Sequence, residues 1–528
     1  MRVMSREQPA SRSELIRHGR QLAIAISMAL SIAACGGGGG GGGGQPSAPV
    51  QQQPQNAAPT VQAGTDQTIE LPTASAQLTG SATDDASQTL TYSWTATSGP
   101  SGVTFGTASA AATSVTFPAA GAYVLTLSVS DGSLSATDTV SVTVNAATYP
   151  ASDTTNDTAD HGWTRVAAAA DVGMTQAGLD QAATYAQTAG STKPGSAGMI
   201  VRRGRVVHSW GDIDERFDMK STSKSIGGMA LGLALNDSLL ALTDAAITRL
   251  PGIGANPASN AATNWLDDIT ILQLASHTAG FDKPGGYNPA PPAVAGSPTL
   301  IYQPGTIWAY SDSGLNWLSE VLTAVFNQDL STVLQTRVWS TLGLNSTAGS
   351  VLTNSDVFWR NNALRTPQPV PHNRELASGI SANVNAMARV GLLFLRKGNW
   401  NGTQVLPESF VTTVSTPVAA NAGLEIRPQP ADFPGATTNY GVLWWTNATG
   451  QLANVPRDAF WAWGLGDSLI VVIPSLDLVV VRAGEEHLVS EIPGAATPGQ
   501  RVWNDTDWNG DYTVLAPFLD PIVQSVTP

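Results

Sequence analysis

The sequence predicts a multidomain protein in which an all-β sandwich precedes a larger α+β domain. The 528 residues are enough for about three domains of ordinary size. Short runs that alternate apolar and polar residues fill 57–147, whereas 166–526 mixes strand-like with helix-like segments. Hydrophobic residues make up 42% of the chain and charged residues 12%, so the composition is not that of a disordered protein.

The first 34 residues have the pattern of an export signal. Arginines dominate the charge of the start, and the apolar run Leu22–Ala34 is shorter than the ~20 residues that a membrane-spanning helix needs. Ile32-Ala33-Ala34-Cys35 resembles the lipobox of bacterial lipoproteins, in which the cysteine is lipidated. The resemblance implies an exported lipoprotein held in a membrane through Cys35. The alternative is a free, buried cysteine.

The residues after Cys35 predict in which membrane the protein is anchored and how the anchor is linked to the folded domains. In such lipoproteins an aspartate after the cysteine is associated with inner-membrane retention, and Gly36 stands there instead. We therefore expect an outer-membrane anchor facing the periplasm or the cell surface. Nine glycines, Gly36–Gly44, and a Gln/Pro-rich stretch make residues 35–56 a lipidated cysteine plus a flexible linker.

Residues 57–147 are predicted to form a two-sheet sandwich. Period-two runs recur between turn signals, Asp131-Gly132 marks a hairpin, and Trp94 is predicted to lie in the core. The segment resembles PKD-type immunoglobulin-like modules of bacterial surface proteins. That resemblance implies a spacer, with contact to a glycan or a protein as the alternative. The strand-like runs are 68–71, 90–94, 123–129 and 139–144.

The carboxy-terminal domain, 166–526, follows a polar linker at 148–165. Strand-like segments lie at both ends of this domain and helix-like segments lie between them, which predicts an antiparallel sheet completed by both ends with a helical insertion. The strand-like segments are 199–201, 206–210, 459–463, 469–473 and 478–482, and the clearest helix-like segments are 226–235 and 315–326.

Charge and cysteine content exclude several classes of function. The 26 lysines and arginines stand against 40 aspartates and glutamates, a net charge of −14, and no basic patch is evident that could neutralise phosphates. We therefore expect no nucleic-acid partner. One cysteine cannot form an internal disulfide or a cysteine zinc cluster, and the six histidines lack metal-ligand spacing. We expect no metal and no cofactor.

Ser221-Thr222-Ser223-Lys224 is the first chemical signal. If Ser221 opens the helix that follows, Ser221 and Lys224 lie one turn apart on one face. A serine hydroxyl needs a neighbour to take its proton, and a lysine does so only in its uncharged form, which apolar burial favours. The alternative is a helix cap, Ser221, with an exposed lysine.

Two further motifs follow in the chain. Tyr310-Ser311-Asp312 offers a tyrosine that can relay a proton to a leaving group, although a lone tyrosine is more often structural. Trp463-Gly464-Leu465-Gly466 precedes an apolar strand, and glycines at a strand edge let a substrate approach the backbone. A backbone N–H near Gly464–Gly466, together with that of Ser221, would form an oxyanion hole. The alternative is a simple turn.

The order and spacing of these motifs resemble the serine beta-lactamase and penicillin-binding superfamily, specifically the class C-related hydrolases and esterases. The resemblance covers nearly all of 166–526, including "FDMKSTSKSIGGMALGLALND", "ITILQLASHTAGFD", "YQPGTIWAYSDSGLNWLSEVL" and "YGVLWW". It implies an antiparallel sheet with helices on both faces plus a helical subdomain. It also implies Ser221 as the acylated nucleophile, Lys224 as its base and Tyr310 as the second acid/base.

The chain departs from the family at two places that bear on the substrate. Asp312 stands where the family often has asparagine, and Trp463-Gly464 stands where lactam-binding members have Lys-Thr-Gly. Without that cation the site matches a carboxylate less well. We therefore expect a small-molecule ester or amide, with Asp312, Trp463, Gly464 and Gly466 as oxyanion and substrate-binding residues.

Two other functions remain open at this point. One is a D-Ala-D-Ala carboxypeptidase or beta-lactamase of the same fold. The other is a non-catalytic surface protein that binds a ligand in an inactive pocket. Gly466-Asp467-Ser468-Leu469 also spells the signature of another lipase family, but it lies late in the domain, where that family does not place it.

Overall fold

A computed structural model describes residues 55–71, 74–85, 88–154, 160–188, 196–249, 263–281, 300–345, 355–360, 374–427, 433–484 and 512–527. The predicted signal peptide, Cys35 and the glycine linker lie outside these residues. In the part of the chain that is described, no helix is long and apolar enough to cross a membrane.

The amino-terminal module is a sandwich of two main sheets. The strands are β1 Thr60–Gln62, β2 Gln67–Glu70, β3 Ser75–Thr79, β4 Ser81–Thr83, β5 Thr91–Ser98, β6 Thr104–Phe105, β7 Ala112–Thr116, β8 Gly121–Ser130 and β9 Ser135–Asn145. One sheet has the order β2-β9-β8-β5 and the other β3-β7-β6, while β1 pairs with β4. The predicted all-β sandwich is confirmed.

Alternation of side chains builds the core of this module. Every second residue of β8, from Tyr123 to Val129, is buried, and the residues between them are more exposed. Trp94 lies in the same core with 2% exposure, as predicted. The predicted hairpin is also present, because β8 and β9 pair up to Ser130 and Ser135 around the turn. Asp131 Oδ1 accepts the N–H groups of both residues that follow Gly132, which holds the turn closed.

The larger domain contains thirteen strands within the described residues. They are β10 Ala197–Arg202, β11 Arg205–Trp210, β12 Phe217–Asp218, β13 Ile307–Trp308, β14 Val357–Trp359, β15 Ile380–Ala382, β16 Asn399–Trp400, β17 Thr403–Gln404, β18 Glu425–Ile426, β19 Trp445–Thr446, β20 Phe460–Gly464, β21 Ser468–Ile473 and β22 Leu478–Ala483. The main sheet has the order β11-β10-β22-β21-β20-β19, and all its pairs are antiparallel. Both ends of the domain supply its strands, as predicted.

Helices cover both faces of this sheet. The α-helices among the described residues of the domain, including those of the helical subdomain, are α1 Gln176–Thr188, α2 Thr222–Gly227, α3 Met229–Asn236, α4 Ala246–Arg249, α5 Ile271–Ala275, α6 Asp312–Phe326, α7 Leu330–Leu334, α8 Ser340–Leu342, α9 Val384–Leu395, α10 Glu408–Val414, α11 Ala436–Asn439 and α12 Ala516–Gln524. The predicted helix at 226–235 is therefore two helices, α2 and α3, that follow one another across Gly228.

Side chains of the central strands alternate between two cores. Ile470 and Val472 of β21 face the core shared with α9 and the helical subdomain, whereas Leu469 and Val471 face the core shared with α1 and α12. The sheet is thus buried on both faces, and every residue of β21 and β22 is buried. The predicted α+β arrangement, with helices on both faces and a helical subdomain, is confirmed.

The segment 148–165, predicted as a linker, packs tightly where it is described. Trp163 is buried, and its Nε1 donates to Asn385 Oδ1 of α9. Arg389, also in α9 and fully buried, donates to the carbonyl groups of Ala151 and His161. Residues on either side of this segment also contact each other, because Arg205 of β11 binds both carboxylate oxygens of Glu70 in β2.

Candidate active site

Ser221 lies at the start of α2, and the polar residues after it fix that helix in place. Thr222 Oγ1 donates to the carbonyl of Ser468 at 2.6 Å, Ser225 Oγ donates to that of Leu443 at 2.6 Å, and Ser223 Oγ accepts the N–H of Ile380 at 2.9 Å. These three side chains are buried, whereas Ser221 is partly exposed. The hydroxyl of Ser221 is therefore the one in this run that faces outward.

Lys224 lies one helical turn after Ser221, as the spacing predicts. Its side chain is 2% exposed, and its Nζ donates to Ser221 Oγ at 2.9 Å and to the carbonyl of Ala377 at 2.7 Å. Asn316 of α6 accepts the N–H of Ala377 at 3.4 Å, which ties that residue to the helical subdomain. Lys224 Nζ is thus fixed by two acceptors, the hydroxyl of Ser221 and the carbonyl of Ala377.

Tyr310 borders the same amine. The centre of its ring lies 4.9 Å from Lys224 Nζ, and the residue is buried. His277 stacks on one side of the ring, with centroids 4.3 Å apart, and Phe433 stacks on it at 5.0 Å with planes 8° apart. The structure therefore brings Ser221, Lys224 and Tyr310 together.

Asp312 begins α6 and contacts Lys224. Its Oδ1 lies 2.8 Å from Nζ, an ion pair in which the carboxylate is 22% exposed and the lysine is buried. Asp312 Oδ1 accepts no hydrogen bond among the described residues, so the contact is an ion pair by distance alone. Asp312 was predicted to bind the oxyanion or the substrate, and in the structure its carboxylate contacts the lysine.

The turn at the end of β20 approaches the start of α2 closely. A Cβ on Gly464 would lie 2.2 Å from the carbonyl oxygen of Met219 and 3.0 Å from the backbone nitrogen of Thr222. Gly466 adopts a φ of 74°, which favours glycine. Both glycines are thus explained by local geometry, and the turn lies beside Ser221, where the predicted oxyanion hole needs it.

Trp463 is buried rather than lining an open pocket in the described residues. It is 3% exposed, and its ring lies 6.4 Å from that of Trp445 and 6.3 Å from that of Tyr512. Four further tryptophans of this domain are also buried in its cores: Trp308, Trp444, Trp445 and Trp461.

Two groups of residues near the site were missed by sequence reasoning. His277 is buried, Nδ1 accepts the N–H of Ser311 at 3.1 Å, and Nε2 lies 3.2 Å from the hydroxyl of Tyr440. Burial raises the pKa of Tyr440 well above its ordinary value, and Tyr310 and Asp312 act in the same direction. His277 is a lone histidine in its segment, so no spacing signalled it.

The second missed group lies just before the serine. Lys220 has a φ of 48°, and its Nζ binds Asp218 Oδ2 at 2.7 Å while its backbone N–H donates to Asp218 Oδ1 at 3.1 Å. A lysine in this left-handed conformation is strained and needs such partners. Asp218 thereby fixes the turn that leads into Ser221.

Comparisons with known proteins agree with this architecture. The beta-lactamase family model matches residues 182–483, more than half of the chain, and the model of a PKD domain family matches 63–144. Several solved structures are similar to the chain at low identity. EstCE1, a hydrolase with promiscuous acyltransferase activity, is 16% identical, with 67% of this chain and 99% of that chain covered and a TM-score of 0.46.

Two further solved structures are similarly distant. The LovD9 mutant of simvastatin synthase from Aspergillus terreus is 15% identical, covering 66% of this chain and 98% of that chain at a TM-score of 0.45. A penicillin-binding protein homologue from Caulobacter crescentus is 16% identical, covering 61% and 93% at 0.44. No curated protein matches the sequence. By the extent of the family match, the chain carries a PKD domain and belongs to the beta-lactamase family.

Proposed function

We propose that this protein is a serine hydrolase that cleaves an ester or amide through an acyl-enzyme on Ser221. The observation that carries the proposal is the 2.9 Å contact between Lys224 Nζ and Ser221 Oγ, with the Tyr310 ring 4.9 Å from the same nitrogen. A nucleophile, a base within hydrogen-bond reach and a second acid/base are the groups that acyl transfer requires.

In acylation, Ser221 Oγ forms a bond to the carbonyl carbon while its proton passes to Lys224 Nζ as an amine. The electrons of the carbonyl π bond move onto its oxygen. As the tetrahedral intermediate collapses, the bond to the leaving group breaks and Tyr310 donates its hydroxyl proton to that group. Lys224 then reprotonates Tyr310, so the serine proton ends on the released alcohol or amine. Water repeats these steps to release the acid.

The oxyanion of the intermediate would be bound by backbone N–H groups of Ser221 and of the turn Gly464–Gly466. The close approach of Gly464 to Met219 and Thr222 supports this assignment, because it brings the end of β20 beside the start of α2. Fixed donors aimed at a developing negative charge supply several kcal/mol of transition-state stabilisation, about 3 per donor.

An uncharged substrate suits the charges around Ser221. The two lysines nearest to it in the chain, Lys220 and Lys224, are each paired with an aspartate, Asp218 and Asp312. Trp463 occupies the strand position where lactam-binding relatives present a lysine. A substrate carboxylate would therefore have to compete with two protein carboxylates for its partner.

Labelling with a fluorophosphonate probe tests the nucleophile directly. We expect wild type to be labelled and to hydrolyse nitrophenyl acetate, and Ser221→Ala to lose both. Ser223→Ala is the matched control, because it removes a hydroxyl from the same helix that faces β15. Labelling that persists in Ser221→Ala removes Ser221 from the role. A stable adduct with a fluorescent penicillin would favour a penicillin-binding activity instead of the ester or amide hydrolase.

We further propose that the protein is an exported lipoprotein anchored by Cys35, with the PKD domain as a spacer between membrane and hydrolase. The position of the single cysteine at the end of an apolar run supports this. Cells fed a palmitate analogue should label wild type and not Cys35→Ser, and the variant should leave the membrane fraction. Equal labelling of the two would contradict the anchor.

A further inference from the structure

Lys224 Nζ bridges a hydroxyl and a carboxylate. Ser221 Oγ lies 2.9 Å from it and Asp312 Oδ1 2.8 Å. We infer that Ser221, Lys224 and Asp312 form a proton relay in which Asp312 takes the proton of Lys224 before Lys224 takes that of Ser221. The inference rests on the proposed function and extends it, because it makes Asp312 a positioning and proton-holding residue rather than a substrate contact.

The need for the relay follows from the contacts of the amine. Nζ donates to Ser221 Oγ and to the Ala377 carbonyl, and Asp312 Oδ1 forms an ion pair with it at 2.8 Å, which is the environment of an ammonium. An ammonium has no lone pair and cannot accept the serine proton. Because the carbonyl of Ala377 does not take up a proton and Ser221 must lose one, Asp312 is the acceptor within this set.

Burial makes the transfer from nitrogen to oxygen accessible. The lysine side chain is 2% exposed and the carboxylate 22%. Burial disfavours both charges relative to water, so a neutral amine beside a neutral carboxylic acid competes with the ion pair better than it would in water. The partial exposure of Asp312 keeps the acid end of the relay near solvent.

Among the described residues, two tyrosines and a histidine also lie around the pair. Tyr310 places its ring 4.9 Å from Nζ, and Tyr440 lies behind it, hydrogen-bonded to His277. The pKa of Tyr440 is raised by burial, so this hydroxyl stays protonated at neutral pH. The carboxylate of the nearby Asp218 is occupied by Lys220. Asp312 is therefore the carboxylate that contacts Nζ.

Every proton that moves in the relay returns to its starting atom or leaves with the product. First an Nζ–H bond of Lys224 breaks and an Oδ1–H bond forms on Asp312, which leaves an amine and a carboxylic acid. The Ser221 O–H bond then breaks as an N–H bond forms and Oγ bonds to the substrate carbonyl carbon. After Tyr310 protonates the leaving group and regains a proton from Lys224, Asp312 returns its proton to Nζ.

The relay predicts a distinctive pH dependence. In wild type the reactive state holds one proton on the Lys224–Asp312 pair, so activity is lost only when the pair takes up a second proton at low pH. In Asp312→Asn the amine must lose its proton to solvent, which happens at higher pH. If the Asp312 carboxylate only stabilised the charged form of Lys224, its removal in Asp312→Asn would move the acid limb of the pH profile to lower pH.

The test is the pH profile of kcat/KM for nitrophenyl acetate, read at the isosbestic wavelength of the product. We expect the acid limb of Asp312→Asn to lie at higher pH than that of wild type, with at least about a tenfold loss at pH 6 that shrinks towards pH 9. Asp312→Glu should restore the acid limb. An acid limb that moves to lower pH, or one that stays in place while the rate falls evenly, overturns the relay.

Two controls separate the possible failures. Glu408→Gln removes the exposed carboxylate–lysine pair with Lys397 and should leave the acid limb in the position of wild type. Should Asp312→Asn fail to fold, judged by thermal unfolding, Asp312→Ser also removes the carboxylate while Ser311 still caps α6, and it must show the same upward shift. If Ser221→Ala retains ester turnover, the proposed function itself fails, whatever the profiles show.

Discussion

The imidazole ring of His277 lies nearly parallel to the phenol ring of Tyr310, with centroids 4.3 Å apart and planes 26° apart. The same histidine is held at both nitrogens. Nδ1 accepts the N–H of Ser311, so the ring hydrogen is on Nε2 and points to the Tyr440 hydroxyl at 3.2 Å. His277 thereby connects the residue after Tyr310 with a buried tyrosine behind it, and it fixes the plane of the Tyr310 ring.

Replacing His277 should impair the chemical step more than substrate binding. We expect His277→Ala to lower kcat by about tenfold or more with a small change in KM, because a misplaced acid/base loses its alignment with the reacting atoms. His277→Asn should retain more activity, since asparagine tolerates the φ of 62° and its amide oxygen accepts a hydrogen bond. Steady-state kinetics of both variants decide the point, and a change confined to KM would contradict the role.

Gly464 is predicted to be indispensable to the contact between β20 and α2. In Gly464→Ala the added Cβ would lie 2.2 Å from the carbonyl oxygen of Met219, so the strand must move away from Ser221. We expect a loss of about 1–3 kcal/mol in the free energy of unfolding and a fall in kcat, measured by urea unfolding and ester hydrolysis.

Gly314→Ala provides the comparison for Gly464. Its Cβ would meet its nearest neighbour, Phe281, at 3.7 Å, and alanine is the better residue in a helix such as α6. We expect its unfolding free energy to equal or exceed that of wild type. Equal losses in the two variants would show that the close contact at Gly464 does not matter.

Arg389 should contribute strongly to stability. It is fully buried, burial lowers its pKa to about 10, and it donates to the carbonyls of Leu342, Ala151 and His161. Arg389→Met leaves these carbonyls without their donor, and we expect the free energy of unfolding to fall by about 3–5 kcal/mol in chemical denaturation.

A half-buried arginine, Arg337, gives the contrast with Arg389. The pair of Arg337 with Asp237 is partly open to solvent, so Arg337→Met should cost at most about 1 kcal/mol. If both variants lose the same amount, burial of Arg389 is not the cause of its effect.

His208 should make stability depend on pH. Burial lowers the pKa of His208, Asp180 opposes this shift, and Arg165 adds to it. Because the pKa in the folded state lies below that in the unfolded chain, the stabilising contribution is present above about pH 6.5 and is lost as the pH falls through the folded value. In His208→Gln the decline in unfolding free energy from about pH 8 to about pH 5 should be shallower than in wild type. A steeper decline in His208→Gln would contradict the lowered pKa of His208 in the folded state.

Much of the fold was predictable from local patterns. The alternation in β8 and β9, the Asp131-Gly132 hairpin and the late strands of the main sheet are encoded in residues close together in sequence, and each formed where predicted. One continuous helix was predicted at 226–235, whereas the structure has two helices, α2 and α3, separated at Gly228. Patterns of period two and 3.6 depend only on neighbours, which explains why they survive without knowledge of the fold.

The sequence by itself determined the spacing of Ser221 and Lys224, since a separation of three residues in a helix brings two side chains to one face. Only the tertiary structure decided that Asp312 contacts the lysine, that His277 stacks on Tyr310 and that Gly464 lies against Met219. These contacts join segments far apart in the chain. Their partners are set by how α2, α6 and β20 pack together, and no local periodicity carries that information.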